Sequence, residues 1–366
     1  MKKTNLIIGR TGSYKTTSIL FNEVVRLIEN NESLIILDKK EEYFKTFKER
    51  FDKSGYKTLV FNLKDAYKSN TFNPLRLPYK FYKDGNKDKA AELIRELGTE
   101  IFKDDNKNSD PFWSNASINF FTSLVLLLFK EAKEDEINLY SVQLMVSATT
   151  KNGGKEVKNY FDGLDPLDMV YMAGAGTVYA PAETKSSIIS VMNQRLNVFF
   201  VKEQLLNNLA FDEIDLSNLP EKAVIFIICD DVSQRLGNVL IDQVASLNKR
   251  IDFILDNFDG VLLGSLSNLL DGNNKVYVAI RNKKEFAEVY GNYMEDKFEN
   301  IMDEIKPEEK LEVGRCEDYP KASFKKANYF DAVKFFSEGY VKNKQENNFI
   351  DFVNKEIKRI DDFDVK

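Results

Sequence analysis

Residues 9–17 carry the pattern with the clearest chemistry in this sequence. They fit GxxxxGK[ST] with one departure, because a tyrosine stands where the second glycine is expected. In that pattern successive backbone N–H groups wrap a phosphate anion, the lysine reaches the terminal phosphates, and the hydroxyl after it binds magnesium. The stretch therefore predicts a phosphate loop for a nucleoside triphosphate, to which every residue is expected to contribute: Gly9, Arg10, Thr11, Gly12, Ser13, Tyr14, Lys15, Thr16 and Thr17.

Within this loop, Lys15 is expected to face the phosphates and Thr16 to bind magnesium. Tyr14 occupies the position that needs a positive φ, where a non-glycine residue costs roughly 1–2 kcal/mol. The competing interpretation is a simple glycine turn that happens to precede a Lys-Thr pair. The flanking sequence favours the phosphate loop, because an apolar strand comes before it and a helix after it.

The composition excludes several other kinds of chemistry. The chain has 366 residues and no histidine, so imidazole bases, His-based triads and His-metal sites are ruled out. Cys229 and Cys316 lie far apart and predict neither a disulfide framework nor a zinc site, which fits a reducing cytoplasm. The net charge is -6, so the chain as a whole does not indicate a nucleic-acid surface, although a local basic channel remains open.

The elements that must position the loop alternate between strands and helices. Apolar runs at 6–8, 34–37 and 58–62 predict buried parallel strands, with helices to about residue 29 and at 39–54 between them. After residue 75 the periodicity becomes helical, and strand-like runs return at 223–229, 251–255 and 275–280. The sequence predicts an α/β fold with a mostly parallel sheet, interrupted by an inserted all-α domain and followed by a helical C-terminal appendage. The predicted limits are 1–85 and 183–291 for the nucleotide-binding domain, 86–182 for the inserted domain and 292–366 for the appendage.

Several separate motifs resemble the type IV secretion coupling proteins, the TraG- and TraD-type ATPases of conjugative DNA transfer. Leu37-Asp38-Lys39-Lys40-Glu41 is similar to the family's strand ending in Asp-Pro-Lys-Gly-Glu, and Phe72-Asn73-Pro74-Leu75 to its Tyr-Asn-Pro-Leu. Weaker similarity continues through Phe112-Trp113, residues 184–190 and residues 215–219 to about residue 291. The resemblance implies a RecA-like P-loop NTPase fold, with ATP and Mg2+ as cofactors.

The resemblance also marks the residues expected to do chemistry, and two of them depart from the family. Where the family has Asp-Glu-Phe, this chain has Asp256-Asn257-Phe258, so Asp256 is expected to support magnesium while Asn257 replaces the base. An asparagine cannot accept a proton as a carboxylate does. Arg281 stands where the family has a glutamine that senses the γ-phosphate, and a guanidinium accepts no hydrogen bond. These changes predict a weakened or redirected hydrolase, unless Asp259 supplies the carboxylate.

Two functions remain open at this point. The first is a coupling ATPase that forms a homo-oligomeric ring and drives or recruits DNA or a relaxase–DNA complex at membrane channel proteins. The second is a catalytically degenerate docking or regulatory subunit without ATP turnover. A weaker third is an ATPase for DNA packaging or a pilus. Arg195, Arg235 and Arg250 are candidates for an arginine finger. Lys39 and Lys40 are candidates to contact phosphate or DNA near the end of the second strand, although the favoured interpretation is that they are solvated charges at a helix start.

The sequence and the resemblance also lead to an expectation about the cellular location. The longest apolar run, residues 120–129, is expected to be too short and its surroundings too polar for a bilayer span. The N-terminus lacks the pattern of a signal peptide. Since the family that the chain resembles begins with membrane helices, we expect either that another protein supplies the anchor or that this is a soluble form. We therefore expect a cytoplasmic protein without a membrane span of its own, peripheral at the inner face of the membrane.

Overall fold

The computed structural model describes residues 4–102, 104, 109–200, 202–231, 233–247, 249–258, 269–270, 274–290, 298, 300–302, 311–322 and 325–343. Two compact units are distinguished within the chain. One comprises residues 1–101 and 200–327, and the other comprises residues 102–199 and 328–366. The domain limits predicted above fall at other positions and stay predictions.

The first unit is built on a seven-stranded sheet in the order β3-β4-β2-β5-β6-β1-β7, with parallel pairing between all neighbours. The strands are β1 (Thr4–Ile8), β2 (Leu34–Leu37), β3 (Lys57–Asn62), β4 (Ala223–Ile228), β5 (Asp252–Leu255), β6 (Val276–Ile280) and β7 (Asn300–Met302). Their continuously apolar runs are buried, as parallel strands covered on both faces require. This confirms the predicted α/β class. The edge strand β7 was not predicted.

Helices of the first unit connect these strands. They are α1 (Phe21–Glu29), α2 (Glu42–Lys53), α3 (Arg76–Lys83), α4 (Lys87–Phe102), α10 (Glu203–Asn208), α11 (Gln234–Ala245) and α12 (Lys283–Tyr290). A π-helical turn, Lys15–Leu20, leads into α1. The buried faces of α1 and α2 join the strands in one core, in which Phe21 packs edge-on against Tyr43 and Phe47. This packing fixes both helices beside the carboxyl ends of the strands they follow.

The second unit consists of helices in the part of the chain that the structure describes. They are α5 (Pro111–Glu131), α6 (Leu139–Ala148), α7 (Lys155–Phe161), α8 (Met169–Val178), α9 (Ala182–Phe200) and α13 (Ala332–Asn343). The expectation of too short and too polar a run was wrong: α5 has 21 residues, and an 18-residue window of it has a mean hydropathy of 1.4, enough by length and composition to cross a membrane. Of its apolar window, 67% is buried inside the protein, as in the core helix of a globular domain.

The segment after residue 291 is not helical throughout. Residues 311–322 run extended along α2, where the Tyr319 ring stacks on Phe44 at 4.2 Å and the Tyr319 hydroxyl donates to Glu41 Oε2 at 2.6 Å. Gly314 passes so close to α2 that a Cβ there would lie 2.3 Å from the Lys45 carbonyl oxygen. The helix predicted at 347–360 lies outside the described residues. The C-terminal part therefore contributes an extended strap to the first unit as well as a helix to the second.

Candidate nucleotide-binding site

The predicted phosphate loop connects β1 to the π-helical turn at the carboxyl edge of the sheet. Its first residue is fixed to the neighbouring strand, because the Gly9 N–H donates to the Ile280 carbonyl at 3.1 Å. A turn follows in which the Ser13 N–H donates to the Arg10 carbonyl at 3.1 Å, and Gly12 has φ 85°. The first N–H groups of a helix have no partner within it, so they face the loop as donors for an anion.

Tyr14 has the backbone conformation that the pattern predicts for the missing glycine. Its φ is 61° and its ψ is 15°, in the left-handed region, and its side chain is 50% exposed. A tyrosine there is strained by roughly 1–2 kcal/mol, and its exposed ring shows no burial that would offset this cost. The loop therefore keeps the glycine-type turn in spite of the substitution.

Lys15 and the loop hydroxyls form the polar lining of the loop. Lys15 is 5% exposed, and its ammonium donates to the Gly9 carbonyl at 3.1 Å, so the side chain folds back across the loop. The hydroxyl oxygens of Ser13 and Thr17 are buried and have no hydrogen-bond partner among the described residues. Buried hydroxyls normally have partners, and phosphate oxygens would provide them. These residues fit a bound triphosphate.

Asp256, directly after β5, meets Thr16 although 240 residues separate them. The Thr16 hydroxyl donates to Asp256 Oδ2 at 2.7 Å, and the Asn257 N–H donates to Oδ1 at 2.8 Å. Asp256 is 2% exposed. A hydroxyl and a carboxylate are hard oxygen donors of the kind magnesium prefers, and magnesium usually takes few protein ligands and keeps several waters. No group of three or more acidic, Cys or His side chains forms a metal cluster among the described residues, so the Thr16–Asp256 pair is the fitting candidate.

Tyr43 is a site residue that the sequence did not reveal. It lies in the first turn of α2, is 1% exposed, and donates its hydroxyl to Asp256 Oδ2 at 3.0 Å. Burial first, and the nearby Asp256 carboxylate second, raise the pKa of Tyr43 well above its usual value. The phenol therefore stays a neutral donor that orients Asp256.

A second carboxyl group, Asp38, lies close to this pair at the end of β2. It is 1% exposed and accepts the Phe44 N–H at 2.8 Å. Burial raises the pKa of Asp38 to about 7, opposed by the backbone donors of Phe44 and Tyr43, and the Asp256 charge raises it further. The Asp-Lys-Lys-Glu motif thus places a carboxyl group that titrates near neutral pH beside the candidate magnesium ligand.

Asn257 and Arg281 lie together in a cleft at the carboxyl ends of β2 to β6. Asn257 has φ 52°, a left-handed conformation that asparagine tolerates better than glutamate does. The other residues that line the cleft are Lys39, Lys40, Lys64, Cys229, Asp230 and Asp231. Lys39 and Lys40 line this cleft, and Lys40 is exposed, so their interpretation as solvated charges stays a prediction. Asp259, the alternative carboxylate, lies outside the described residues.

The candidate arginine fingers each have a partner within their own unit. Arg235 donates to the Glu100 carbonyl at 3.0 Å, Arg250 to Glu32 Oε1 at 2.5 Å, and Arg195 lies 3.4 Å from the Asp104 carboxylate. None is distinguished from the others by these contacts, so the assignment of a finger stays a prediction.

Comparison with known proteins decides the family. Residues 3–271 match the model of the family described as "Type IV secretory system Conjugative DNA transfer". The chain belongs to this family. The match spans the phosphate loop, Asp256 and Asn257, and it confirms the resemblance that the sequence motifs indicated.

Solved structures of the plasmid coupling protein TrwB have the same fold. The trigonal form in complex with sulphate matches with a TM-score of 0.57 at 13% identity, the complex with ADP and Mg2+ with 0.58 at 13%, and the complex with the ATP analogue ADPNP with 0.57 at 12%. Each match covers 81% of this chain and 69% of TrwB. At this identity the likeness establishes the P-loop NTPase fold, and the bound nucleotides are properties of TrwB. No curated protein sequence matches the chain.

Proposed function

We propose that this protein binds ATP with Mg2+ at residues 9–17 and acts as the nucleotide-binding coupling protein of a conjugative DNA transfer system. The observation that carries the proposal is the Thr16–Asp256 contact of 2.7 Å at the end of the phosphate loop. It brings a hydroxyl and a carboxylate that are 240 residues apart in sequence within hydrogen-bonding distance, which supports a magnesium site. Family membership supplies the setting of conjugative transfer.

Each residue of the site has a distinct role in this proposal. The helix N-terminus and the ammonium of Lys15 bind the phosphates, and the Ser13 and Thr17 hydroxyls provide further polar contacts. Thr16 and Asp256 hold Mg2+, which neutralises phosphate charge when it is bound. Tyr43 keeps the Asp256 carboxylate in place through its hydroxyl.

Hydrolysis is proposed to be slow, because the residue after Asp256 carries an amide. Asn257 lines the cleft beside Arg281, and the described carboxylates of that cleft are Asp230 and Asp231. Asp231 is paired with Lys39 at 2.9 Å, and Asp230 accepts from Ser233 at 2.7 Å. The same observation favours the second candidate function, a docking or regulatory subunit that binds ATP without turnover. A measurement of ATP turnover distinguishes the slow ATPase from the subunit that only binds ATP.

The proposal also covers the substrate, the oligomeric state and the partners, which follow from membership of the family. We propose that the chain acts on DNA or a relaxase–DNA complex, assembles as a homo-oligomeric ring, and meets membrane channel proteins at the cytoplasmic face of the membrane. An acidic exterior is compatible with this role, because a ring can enclose a basic channel.

Replacing Lys15 by alanine tests the nucleotide site. Lys15→Ala should weaken ATP binding at least about tenfold, because it removes a charge-assisted contact to phosphate. Calorimetry with ATP and Mg2+ measures the change, and Lys53→Ala, on the exposed end of α2, is the matched control that should bind like the wild type. Equal affinity in wild type and a folded Lys15→Ala protein would refute the site.

A further inference from the structure

The cleft beside the phosphate loop lies where parallel sheets bind ligands. Its lining residues follow the carboxyl ends of five neighbouring strands: Lys39 and Lys40 after β2, Lys64 after β3, Cys229 to Asp231 after β4, Asn257 after β5, and Arg281 after β6. Ligands of open α/β sheets occupy the crevice outside these ends. Asn257 adjoins Asp256, and Arg281 adjoins Ile280, whose carbonyl accepts the Gly9 N–H. Two of its lining residues therefore directly follow residues that contact the phosphate loop.

The charge of the cleft favours an anion. Three lysines and one arginine line it against two aspartates, in a chain whose net charge is -6. Burial raises the pKa of the Cys229 thiol to about 12, so this side chain adds no negative charge at neutral pH. The amide of Asn257 is uncharged and can donate hydrogen bonds. The lining thus offers several donors, with cations in excess over carboxylates.

The cations are partly held in place before any ligand arrives. The Lys39 side chain is 11% exposed and is fixed by Asp231 at 2.9 Å. Lys64 donates its ammonium to the Lys39 carbonyl, which links the ends of β3 and β2. The Asp231 carboxylate is 86% exposed, and Lys39, followed by Arg281, lowers its pKa. Side chains already ordered by such contacts lose less entropy when they bind an anion.

We propose that this cleft is a second anion site that binds a phosphate group, with Lys40, Lys64 and Arg281 as its principal cations. Two sources carry this chemistry: the terminal phosphate of a nucleotide held by the loop, and free orthophosphate. The inference rests on the proposed function for the first source, whereas the second requires no nucleotide.

The test uses the full chain and the double variant Lys40→Gln/Lys64→Gln, with Lys53→Gln as the matched surface control. Equilibrium dialysis with labelled orthophosphate measures the anion directly, and melting curves establish that each variant is folded. The double variant should bind orthophosphate roughly tenfold more weakly, the scale expected for lost charge-assisted contacts, whereas Lys53→Gln should not change. The proposal would be overturned if the double variant matched the wild type in its affinity both for orthophosphate and for ATP.

Calorimetry with ATP and with ADP then distinguishes the sources. Weaker ATP binding with unchanged ADP binding in the double variant identifies the terminal phosphate as the occupant, and unchanged affinity for both identifies free orthophosphate. Lys15→Ala separates this inference from the proposed function, because that variant should keep orthophosphate binding while it loses ATP. A single-stranded oligonucleotide that binds through Lys40 and Lys64, while orthophosphate does not bind, would replace the proposal with a nucleic-acid surface.

Discussion

Tyr14 combines a strained backbone with an exposed side chain at the centre of the candidate site. Its φ of 61° belongs to the position where the phosphate-loop pattern has glycine. Because the ring is half exposed, the strain is not offset by burial, and the loop geometry must be maintained by its surroundings. The anchor from Gly9 to Ile280 and the turn from Ser13 to Arg10 are two such contacts.

The backbone strain at Tyr14 predicts that Tyr14→Gly raises both folding stability and ATP affinity. Glycine adopts positive φ freely, so the variant should gain about 1 kcal/mol of folding stability and bind ATP more tightly. Asn31→Gly is the matched control, since Asn31 has φ 56° and asparagine tolerates this conformation, and its change should be smaller. Thermal unfolding and an ATP titration measure both effects. A lower melting temperature for Tyr14→Gly than for the wild type would contradict the strain argument.

Tyr43 gives a second prediction at the same scale. Tyr43→Phe keeps the buried ring against Phe21 but removes the hydroxyl that donates to Asp256. Nucleotide binding without magnesium should be unchanged, whereas the gain in affinity on adding Mg2+ should shrink by about a factor of ten. Tyr56→Phe, which loses a comparable bond to the Glu32 carbonyl, is the control for a purely structural effect. An identical magnesium dependence in wild type and Tyr43→Phe would show that Tyr43 does not position the ligand.

These residues differ in how far the sequence alone could point to them. Lys15 and Thr16 were predicted because their pattern is local, and Asp256 because the order of family motifs pointed to it. Tyr43 was missed because its partner, Asp256, lies 213 residues away in sequence. An aromatic residue in the apolar stripe of a helix is normally interpreted as a core residue. The raised pKa of Asp38 was equally hidden, since it depends on burial and on a charge from another strand. Long-range side-chain contacts carry the part of the site that local patterns do not contain.

At the scale of elements, strands were predicted better than their surroundings. The apolar runs of β1 to β6 are long enough to identify buried parallel strands. The short strand β7 and the extended strap at 311–322 lack such a pattern, because they are held by pairing with β1 and by contacts with α2. The apolar helix α5 is a second case in which local sequence is ambiguous. Its composition fits a membrane span, whereas its burial is that of a helix in a packed core.

The packing of α8 on α5 gives an element-scale prediction with a built-in control. A Cβ at Gly174 would lie 2.3 Å from Ser123 Oγ and 2.7 Å from the Phe161 ring, whereas a Cβ at Gly176 would meet nothing within 4 Å. Gly174→Ala should therefore destabilise the protein by about 1–3 kcal/mol through overpacking. Gly176→Ala should stabilise it by about 0.5–1 kcal/mol through helix propensity. Chemical denaturation measures both, and a stable Gly174→Ala protein would disprove the close approach.

At the scale of the whole molecule, the family match and the sheet order describe a P-loop protein of conjugative DNA transfer. The sequence predicted this class because its motifs occur in family order along the chain. The predicted domain limits stay predictions, and the two compact units are defined by contacts between segments distant in sequence. The functional question at this scale is whether the nucleotide that we propose to bind here is turned over.

The central claim is an ATP site whose hydrolysis is slow because Asn257 stands where a carboxylate would activate water. The most direct measurement is steady-state phosphate release at saturating ATP and Mg2+, with and without DNA, for the wild type, Lys15→Ala and Asn257→Glu. The account predicts slow release by the wild type, none above background by Lys15→Ala, and faster release by Asn257→Glu. Brisk DNA-stimulated release by the wild type that Asn257→Glu does not increase would contradict it.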